Sequence, residues 1–424
     1  MLIEFNFKNY RSFRDEASLS LSAEKITEFS SSVVSIGKEK ILPVAAIYGA
    51  NASGKSNVYK SFAFMSNYVK YSFQYGDDEV NYEEVRPKPF LFDEESEQSE
   101  SSFEVFFTLP NDMSGRTYNY GFSLDSNGVV EEWLNTKAKT SKEYRLVFYR
   151  GEEENDFSGI PKKSRENIEL ALEKQVLVVS LGAKLKVEKC KLVRDWFLSN
   201  ELADFGDPAR NFFMSRTLPK GFTEDPSVQK DVLKYFSSFD NQIKGFQATR
   251  VPNEEDEQDE QFIIEAKHKR IHSDDSVMIP LSDESDGTLK MFALYPKLHA
   301  VLEKGSVLFV DELNARLHPL LVRNFILTFA NPKINVNHAQ LIFTTHDTWQ
   351  LSNQLLRRDE VWFTNKDSNG LSSLYSLADF LDADGSHIRK DENYEKNYLL
   401  GKYGAIPSLL AIDSLIGDKN GKKG

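Results

Sequence analysis

Cysteine is almost absent from this sequence, with Cys190 the single example among 424 residues. No disulfide can therefore form within the chain, and a Cys/His zinc site cannot rest on Cys190 alone. Long apolar runs are also missing, since none approaches the roughly 20 residues that a membrane-spanning helix needs. The first residues, MLIEFNFKNYRSF, lack the basic start and apolar centre of a signal peptide. We therefore expect a soluble, cytoplasmic chain that makes no membrane contact.

Positive charge is in deficit, because 52 Lys and Arg stand against 65 Asp and Glu, a net charge of −13. Such a surface as a whole repels polyanions, which disfavours non-specific coating of nucleic acid. Local contact with nucleic acid would need a basic patch. For each of the two basic clusters in the sequence, a solvated helix face or strand edge is the simpler interpretation. Two basic clusters are candidates: Lys184, Lys186, Lys189, Lys191 and Arg194, and Lys267, Lys269 and Arg270.

The hydrophobic pattern divides the chain into four parts. Residues 1–150 show strand patterns, including the apolar run ILPVAAIYG at 41–49 and a β-meander at 103–109, 118–124 and 129–134. Residues 151–245 have mainly helical spacing, notably at 162–203 and 228–236. Residues 246–415 return to alternating helices and strands, which indicates a parallel sheet. We expect a solvated hairpin loop at the acidic residues 253–260 and a frayed tail at 416–424.

Residues 49–56, Gly-Ala-Asn-Ala-Ser-Gly-Lys-Ser, match the phosphate-loop pattern G-x-x-x-x-G-K-[ST]. They follow a strand predicted to be buried and precede a predicted helix, so backbone amides and the helix N-terminus can face a phosphate. Lys55 is placed to reach the β- and γ-phosphates of a bound nucleotide, and the Ser56 hydroxyl can ligate Mg²⁺. The alternative, chance occurrence in a glycine-containing turn, does not explain this placement.

Two later strands end in polar residues that suit the same chemistry. The run VLFVDE at 307–312 supplies Asp311, a candidate Mg²⁺ ligand, and Glu312, a candidate base for the attacking water. A buried strand running into an acidic loop is the alternative interpretation of these carboxylates. The run QLIFTTH at 340–346 places His346 where an imidazole could contact a γ-phosphate, although a lone histidine is more often structural.

The order of these motifs resembles the ATPase heads of the ABC superfamily, specifically the SMC/RecF/OLD-like branch. Residues 285–288, Ser-Asp-Gly-Thr, resemble a divergent ABC signature, and FKNYRSF at 7–13 resembles the opening strand of such heads, in which the arginine at the position of Arg11 helps to bind nucleotide. The segment YLLGKYGAIP at 398–407 resembles the narrower group of AbiL/RloA/AriA-type phage-defence ATPases. The resemblance covers about residues 1–135 and 260–415.

The resemblance implies an α/β fold, namely a P-loop ABC-type ATPase head with an antiparallel β subdomain and a mainly helical insertion. Residues 1–150 would form the N-terminal ATPase lobe, 151–245 the insertion, 246–415 the C-terminal ATPase lobe and 416–424 a flexible tail. With ATP and Mg²⁺ as cofactors, it assigns nucleotide binding to Arg11, Gly49, Asn51, Ala52, Ser53, Gly54, Lys55, Ser56, Asn57, Ser285 and Gly287, metal binding to Ser56 and Asp311, and catalysis to Glu312 and His346.

The sequence departs from the pattern of such heads at two places. Asp286 stands where transporters usually have glycine, and we identify no Q-loop glutamine, because Gln74 lies in a polar surrounding. Residues 314–319 occupy the D-loop position, where His318 is either part of the site or a structural cap.

In such heads ATP is held between the phosphate loop of one subunit and the signature of another, so the resemblance implies a homodimer or a higher homo-oligomer. It also implies a sensor or scaffold subunit of an anti-phage, abortive-infection system whose effector is a separate Toprim-type nuclease, since the chain ends soon after residue 407. The alternative is a RecF/SMC-like DNA repair ATPase that binds DNA directly through the basic clusters. A transporter's ATPase subunit is disfavoured by FKNYRSF, the β-meander and the long insertion.

Overall fold

The computed structural model describes residues 1–76, 80–109, 115–207, 218–219, 221–237, 242–251, 261–381 and 385–407. The expected tail at 416–424 and the expected acidic loop at 253–260 lie outside these residues.

Eighteen strands occur in the described part of the chain. They are β1 (Leu2–Lys8), β2 (Ala17–Ser20), β3 (Val34–Ile36), β4 (Glu39–Ile41), β5 (Val44–Gly49), β6 (Ser101–Thr108), β7 (Thr117–Leu124), β8 (Val129–Lys137), β9 (Arg145–Arg150), β10 (Asn155–Asp156), β11 (Glu201–Asp204), β12 (Ile243–Val251), β13 (Gln261–Lys269), β14 (Ser276–Pro280), β15 (Val307–Asp311), β16 (Gln340–Thr344), β17 (Val361–Lys366) and β18 (Ser372–Ser376).

The same residues contain ten α-helices. They are α1 (Lys55–Tyr71), α2 (Tyr82–Val85), α3 (Glu94–Gln98), α4 (Lys162–Ala171), α5 (Val178–Lys184), α6 (Glu188–Ser199), α7 (Pro226–Phe236), α8 (Asp286–Lys304), α9 (Pro319–Ala330) and α10 (Tyr394–Leu399).

A six-stranded sheet forms the centre of the fold, with the order β11-β15-β16-β5-β17-β18. Every neighbouring pair from β11 to β17 is parallel, and β18 closes the edge antiparallel to β17. All residues of β5, β15 and β16 are buried, as expected for strands covered on both faces. The carboxyl ends of these strands therefore meet at one edge, which is where ligands bind in sheets of this kind.

The side chains of β15 alternate between two cores on opposite faces of this sheet. Val307 and Phe309 belong to the core that includes α1, where the Phe309 ring lies 5.3 Å from that of Tyr59. Leu308 and Val310 belong to the other core, with Phe292 and other residues of α8. Helices α1 and α8 consequently cover opposite faces of the sheet.

A seven-stranded antiparallel sheet lies beside the first core, in the order β10-β9-β8-β7-β6-β1-β2. It contains the predicted meander as β6, β7 and β8, and the N-terminal strand β1 pairs with β6. Buried Glu132 on β8 ties this sheet to α5, because its carboxylate accepts the backbone N–H groups of Val178 and Val179 at 2.6 and 3.0 Å.

Residues 151–245 are mainly helical in their described part, with α4 to α7. The helical prediction for 162–203 is wrong at its end, because 201–204 form β11 and pair in parallel with β15. A four-residue edge strand is too short to show a period of its own. The domain boundaries themselves stay a prediction.

None of the described helices is both long enough and apolar enough to span a membrane.

Candidate nucleotide-binding site

The phosphate loop joins the buried strand β5 to helix α1, as its pattern predicts. Gly49 has φ 155° and Gly54, which precedes the first helical residue, has φ 118°. A Cβ on Gly49 would lie 2.5 Å from the Thr364 carbonyl oxygen, and one on Gly54 would lie 2.7 Å from the Ser372 hydroxyl. Glycine is therefore required at both positions, because the backbone approaches the β17–β18 hairpin too closely for a side chain.

Lys55 is buried within this loop, at 3% exposure. Its ammonium donates hydrogen bonds to the carbonyl oxygens of Gly49 and Ala50 at 2.8 and 2.9 Å. Burial lowers the pKa of Lys55 to about 8, while the carboxylates of Glu312 and Asp311 oppose this shift. A desolvated cation next to two carboxylates is a favourable place for Mg²⁺ and phosphate together.

The remaining predicted loop residues lie around Lys55. Asn51 and Ala52 are exposed at the crest of the loop, and the Ser53 hydroxyl shares a hydrogen bond of 2.6 Å with Thr364 Oγ1. Asn57, in the first turn of α1, donates to the Ser12 hydroxyl at 2.7 Å. The exposed crest leaves backbone groups accessible to a ligand, whereas the base of the loop is fixed by side chains from other elements.

Asp311 ends β15 beside Ser56. Its carboxylate is 2% exposed and accepts hydrogen bonds from the Thr344 hydroxyl, at 2.6 Å, and from the Ser56 hydroxyl. Burial raises the pKa of Asp311, and these two hydrogen bonds partly offset the effect. The structure thus brings together the two predicted Mg²⁺ ligands.

The donor set fits Mg²⁺, which prefers oxygen ligands and usually takes one or two from the protein and the rest from water and phosphate. Groups of three or more His, Cys, Asp or Glu side chains that could hold a metal are absent from the described residues. An ion held by Ser56 and Asp311 would therefore depend on the phosphates of a nucleotide for further ligands.

Glu312 and His346 meet directly, with 3.0 Å between Glu312 Oε1 and His346 Nε2. Glu312 has a left-handed backbone, φ 58°, and its N–H donates to the Thr344 hydroxyl at 2.9 Å. Burial raises the pKa of Glu312, but His346, Lys55 and Lys290 outweigh it and hold the pKa below its ordinary value. The carboxylate is thus ionised at neutral pH, as a group that orients or deprotonates water must be.

The D-loop residues connect these catalytic candidates to their surroundings. Asn314 Oδ1 accepts from the Thr345 hydroxyl at 2.8 Å and from the His346 N–H at 3.3 Å. His318 precedes α9, and its ring Nδ1 accepts the Leu320 N–H at 3.2 Å. Of the two interpretations of His318, the structure therefore supports the helix cap.

The residues that resemble a signature begin helix α8. The exposed Ser285 caps the helix by accepting the Thr288 N–H at 3.1 Å, and Asp286 forms an ion pair with Arg316 at 3.1 Å. A Cβ on Gly287 would lie 3.1 Å from the Arg316 carbonyl oxygen. The structure thus places Ser285 and Gly287 beside the D-loop, on the opposite face of the sheet from α1.

Arg11 lies in a tight N-terminal hairpin next to the phosphate loop. It has φ 55°, its N–H donates to the Lys88 carbonyl oxygen at 2.8 Å, and its guanidinium lies 5.6 Å from the centre of the Tyr10 ring. The neighbouring Ser12 hydroxyl accepts from Asn57 and from Ser372, so the hairpin is fixed against the start of α1.

Sequence reasoning missed several side chains of the site. Thr344 serves both Asp311 and Glu312, Lys290 donates to the carbonyl oxygens of three residues that follow β15, and Asp204 pairs in register with Asp311 at the end of β11. The one local signal was the position of Thr344 within QLIFTTH, directly after a buried run. Lys290 and Asp204 had no local signal, because each reaches the site through a distant element.

Residues 44–348 match the sequence profile of a family described as "AAA domain, putative AbiEii toxin, Type IV TA system". The chain belongs to this family. The match includes the phosphate loop, the signature-like residues, Asp311, Glu312 and His346, and it begins after Arg11. The predicted P-loop ABC-type ATPase fold is confirmed. The narrower AbiL/RloA/AriA-type assignment stays a prediction. No curated protein matches this chain.

Solved structures similar to this chain include three heads of Smc proteins. The Smc head bound to the C-terminal winged-helix domain of ScpA is 13% identical, with a TM-score of 0.41, and the match covers 88% of this chain and 97% of that one. The Smc heads from Pyrococcus furiosus and Pyrococcus yayanosii are 12% and 11% identical, each with a TM-score of 0.40. Those two matches cover 95% and 91% of this chain and 98% of each of the others.

Proposed function

We propose that this protein binds ATP with Mg²⁺ and hydrolyses it at a site shared between two copies of the chain. Its phosphate loop, Asp311 and Glu312 serve one nucleotide, and its signature, Ser285 and Gly287, completes the site of the partner copy. The observation that carries the proposal is the placement of these groups. Lys55 begins α1 and Ser285 caps α8, and the two helices cover opposite faces of the central sheet. This placement supports a site in which the signature of one copy covers the phosphate loop of the other.

Each side chain has a role in this proposal that follows from its surroundings. Lys55 exchanges its two carbonyl partners for phosphate oxygens, and Ser56 and Asp311 hold Mg²⁺, which neutralises phosphate charge when bound. Glu312 receives a proton from the attacking water, and His346 keeps the Glu312 carboxylate oriented. Arg11 adds positive charge on the N-terminal side of the loop. The γ-phosphate stabilises the dimer, because it contacts the partner's signature only in the closed state.

Replacing Glu312 by Gln tests this function. The variant keeps Lys55 and Asp311, so we expect it to bind ATP, to hydrolyse it much more slowly than the parent, and to accumulate as a dimer in size-exclusion chromatography with light scattering. Glu303→Gln, which changes an exposed residue of α8, is the matched control and should behave as the parent. Hydrolysis by the Glu312→Gln variant at the parental rate would show that Glu312 is not the base.

We further propose that ATP-driven dimerisation is a signal, and that the protein is the sensor or scaffold subunit of an anti-phage, abortive-infection system. The description of its family, which names a type IV toxin–antitoxin system, supports a role in defence of this kind. Its effector would be a separate nuclease, with the Toprim type as the expected class. Affinity purification from the native host, with the Glu312→Gln variant as bait and Lys55→Ala as control, should recover a nuclease with the first bait only.

Direct binding of DNA remains the alternative function, and the basic clusters provide its only support. Several of their side chains have intramolecular partners: Arg194 donates to the Lys70 carbonyl oxygen, Lys191 pairs with Asp195, and the Lys184 ammonium lies 4.0 Å from the centre of the Phe73 ring. Tight DNA binding by the isolated protein with a steep salt dependence would favour this alternative, and its absence would favour the signalling role.

A further inference from the structure

Lys290 is a buried lysine on α8, the signature helix, and its ammonium contacts the loop that follows β15 in its own chain. It is 5% exposed and donates to the carbonyl oxygens of Glu312, Leu313 and Ala315, at 3.0, 2.7 and 2.9 Å. An ammonium has three N–H donors and no acceptor, so these three carbonyl oxygens satisfy all of them. Its fourth neighbour is the face of the Phe205 ring, 4.0 Å from the nitrogen to the ring centre.

The loop that Lys290 binds has an unusual backbone. Glu312 and Arg316 both have positive φ angles, 58° and 61°, which residues with side chains rarely adopt. Each such residue is destabilising and persists only where its surroundings fix it. Carbonyl oxygens that converge on one cation provide that restraint from one side, and the Thr344 hydroxyl that accepts the Glu312 N–H provides it from the other.

Lys290 belongs to α8, so the helix that begins at the signature holds the restraining ammonium in place. Ser285 caps α8, Lys290 lies five residues later, and the Asp286–Arg316 ion pair adds a second, exposed link to the same loop. Any shift of the signature helix therefore moves the three carbonyl partners of Lys290, and with them the backbone of Glu312.

We propose that Lys290 is a positioning residue that holds Glu312 of its own subunit in place and ties it to the signature helix. The inference rests on the shared site proposed above, in which the signature of one subunit contacts the nucleotide of the other. When the signature end of α8 contacts the nucleotide of the partner subunit, Lys290 thereby affects the position of Glu312. Glu312 in turn acts on the nucleotide bound by its own subunit.

Replacing Lys290 by Met, which keeps the length of the side chain but removes charge and donors, tests the positioning role. We expect kcat for ATP hydrolysis to fall by roughly ten- to a hundred-fold, because small displacements of catalytic groups have effects of that size. ATP affinity, measured with a fluorescent analogue, should change less than two-fold, since Lys55 and its loop are untouched. Lys304→Met, at the exposed end of the same helix, should leave both quantities unchanged. Equal loss of affinity and kcat in Lys290→Met, or no loss, would overturn the inference.

If Lys290→Met does not fold, Lys290→Gln replaces it, because an amide still satisfies two of the three carbonyl oxygens. An intermediate loss of kcat at unchanged ATP affinity is then expected, and a parental kcat would overturn the inference.

Mixed dimers decide whether Lys290 acts within its own subunit. In these dimers the first copy carries Lys55→Ala and cannot bind nucleotide at its own phosphate loop. The one remaining site consists of the phosphate loop and Glu312 of the second copy and the signature of the first copy. Lys290→Met in the second copy should reduce hydrolysis as in the homodimer, and in the first copy it should have little effect. Equal effects from both placements would contradict action on the subunit's own Glu312. Absence of ATP hydrolysis by the parent, or of dimer accumulation by Glu312→Gln, would instead overturn the shared site itself.

Discussion

At the scale of single residues, the site consists of charged groups whose ionisation is set by burial and by their neighbours. Lys55 shows this most clearly, because the two carboxylates beside it do not cancel the effect of burial on its pKa. Bound phosphate adds negative charge next to the ammonium and favours its protonated form.

Nucleotide affinity should therefore depend on pH through Lys55. Below about pH 8 the ammonium is charged before binding, whereas above pH 8 the free protein has lost the proton and must take it up again on binding. Affinity should fall as the pH rises through this range, and calorimetry in buffers of different ionisation enthalpy should detect proton uptake. Lys55→Ala should lose nucleotide binding, and Lys60→Ala, further along α1, should retain it. ATP affinity retained by Lys55→Ala would count against the phosphate-loop assignment.

Thr344 is a second residue whose replacement tests a single functional group, its hydroxyl. Its hydroxyl donates to Asp311 and accepts the Glu312 N–H, and the side chain is fully buried. Thr344→Val preserves shape but leaves both groups without that partner, which should cost about 1–3 kcal/mol of stability. Hydrolysis should fall more than ATP affinity, because the proposed roles of both affected residues, metal binding and activation of water, serve the hydrolytic step. Thr328→Val on α9 is the control, and equal effects of the two substitutions in thermal melts and ATPase assays would contradict this role.

At the scale of elements, buried carboxylates join sheets to helices. Glu132 extends from β8 to the first turn of α5, where two N–H groups and the Tyr120 hydroxyl donate to it. Burial raises the pKa of Glu132 to about 7, above its ordinary value of 4.5, although these hydrogen bonds oppose the shift.

The free energy of unfolding should reflect this carboxyl group. Between pH 4.5 and about pH 7 the folded protein binds the proton of Glu132 more tightly than the unfolded chain does, so this group's contribution to stability falls as the pH rises. Glu132→Gln should remove that part of the pH dependence, and Glu132→Ala should cost about 1–3 kcal/mol by leaving the N–H groups of α5 unpaired. Denaturant unfolding at several pH values measures both effects, and an unchanged pH slope in Glu132→Gln would refute the assignment.

The elements themselves were predictable wherever their signal lies in consecutive residues. The phosphate loop is eight adjacent residues between a buried strand and a helix, and β15 and β16 are unbroken apolar runs that end in polar groups, so the sequence predicts all three. Strand β11 was missed because it is short and owes its conformation to pairing with β15, a hundred residues away in sequence. Lys290 was missed for a similar reason, since its partners lie on a loop that becomes adjacent only after folding.

At the scale of the whole molecule, the two halves of the proposed ATP site belong to helices on opposite faces of the central sheet. The phosphate loop follows β5 and leads into α1, while the signature caps α8 on the other face, where it contacts the D-loop through Asp286 and Arg316. A two-fold dimer that faces the phosphate loop of each copy with the signature of the other satisfies both halves twice. In the proposed dimer, Lys290 would link the two sites through each subunit.

Complementation between two inactive variants tests the shared site most directly. Lys55→Ala disables the phosphate loop, and Ser285→Glu places a charge at the signature, so neither homodimer should hydrolyse ATP, although Ser285→Glu should still bind it. Mixed dimers carry one intact site, formed by the phosphate loop of one copy and the signature of the other. Equal mixing should restore hydrolysis to at most about a quarter of the parental rate, because half of the randomly formed dimers are mixed and each has one of two sites. The coupling proposed for Lys290 would lower the rate of that single site further. Mixed dimers that form but show no hydrolysis, or parental hydrolysis by Ser285→Glu alone, would contradict a site shared between subunits.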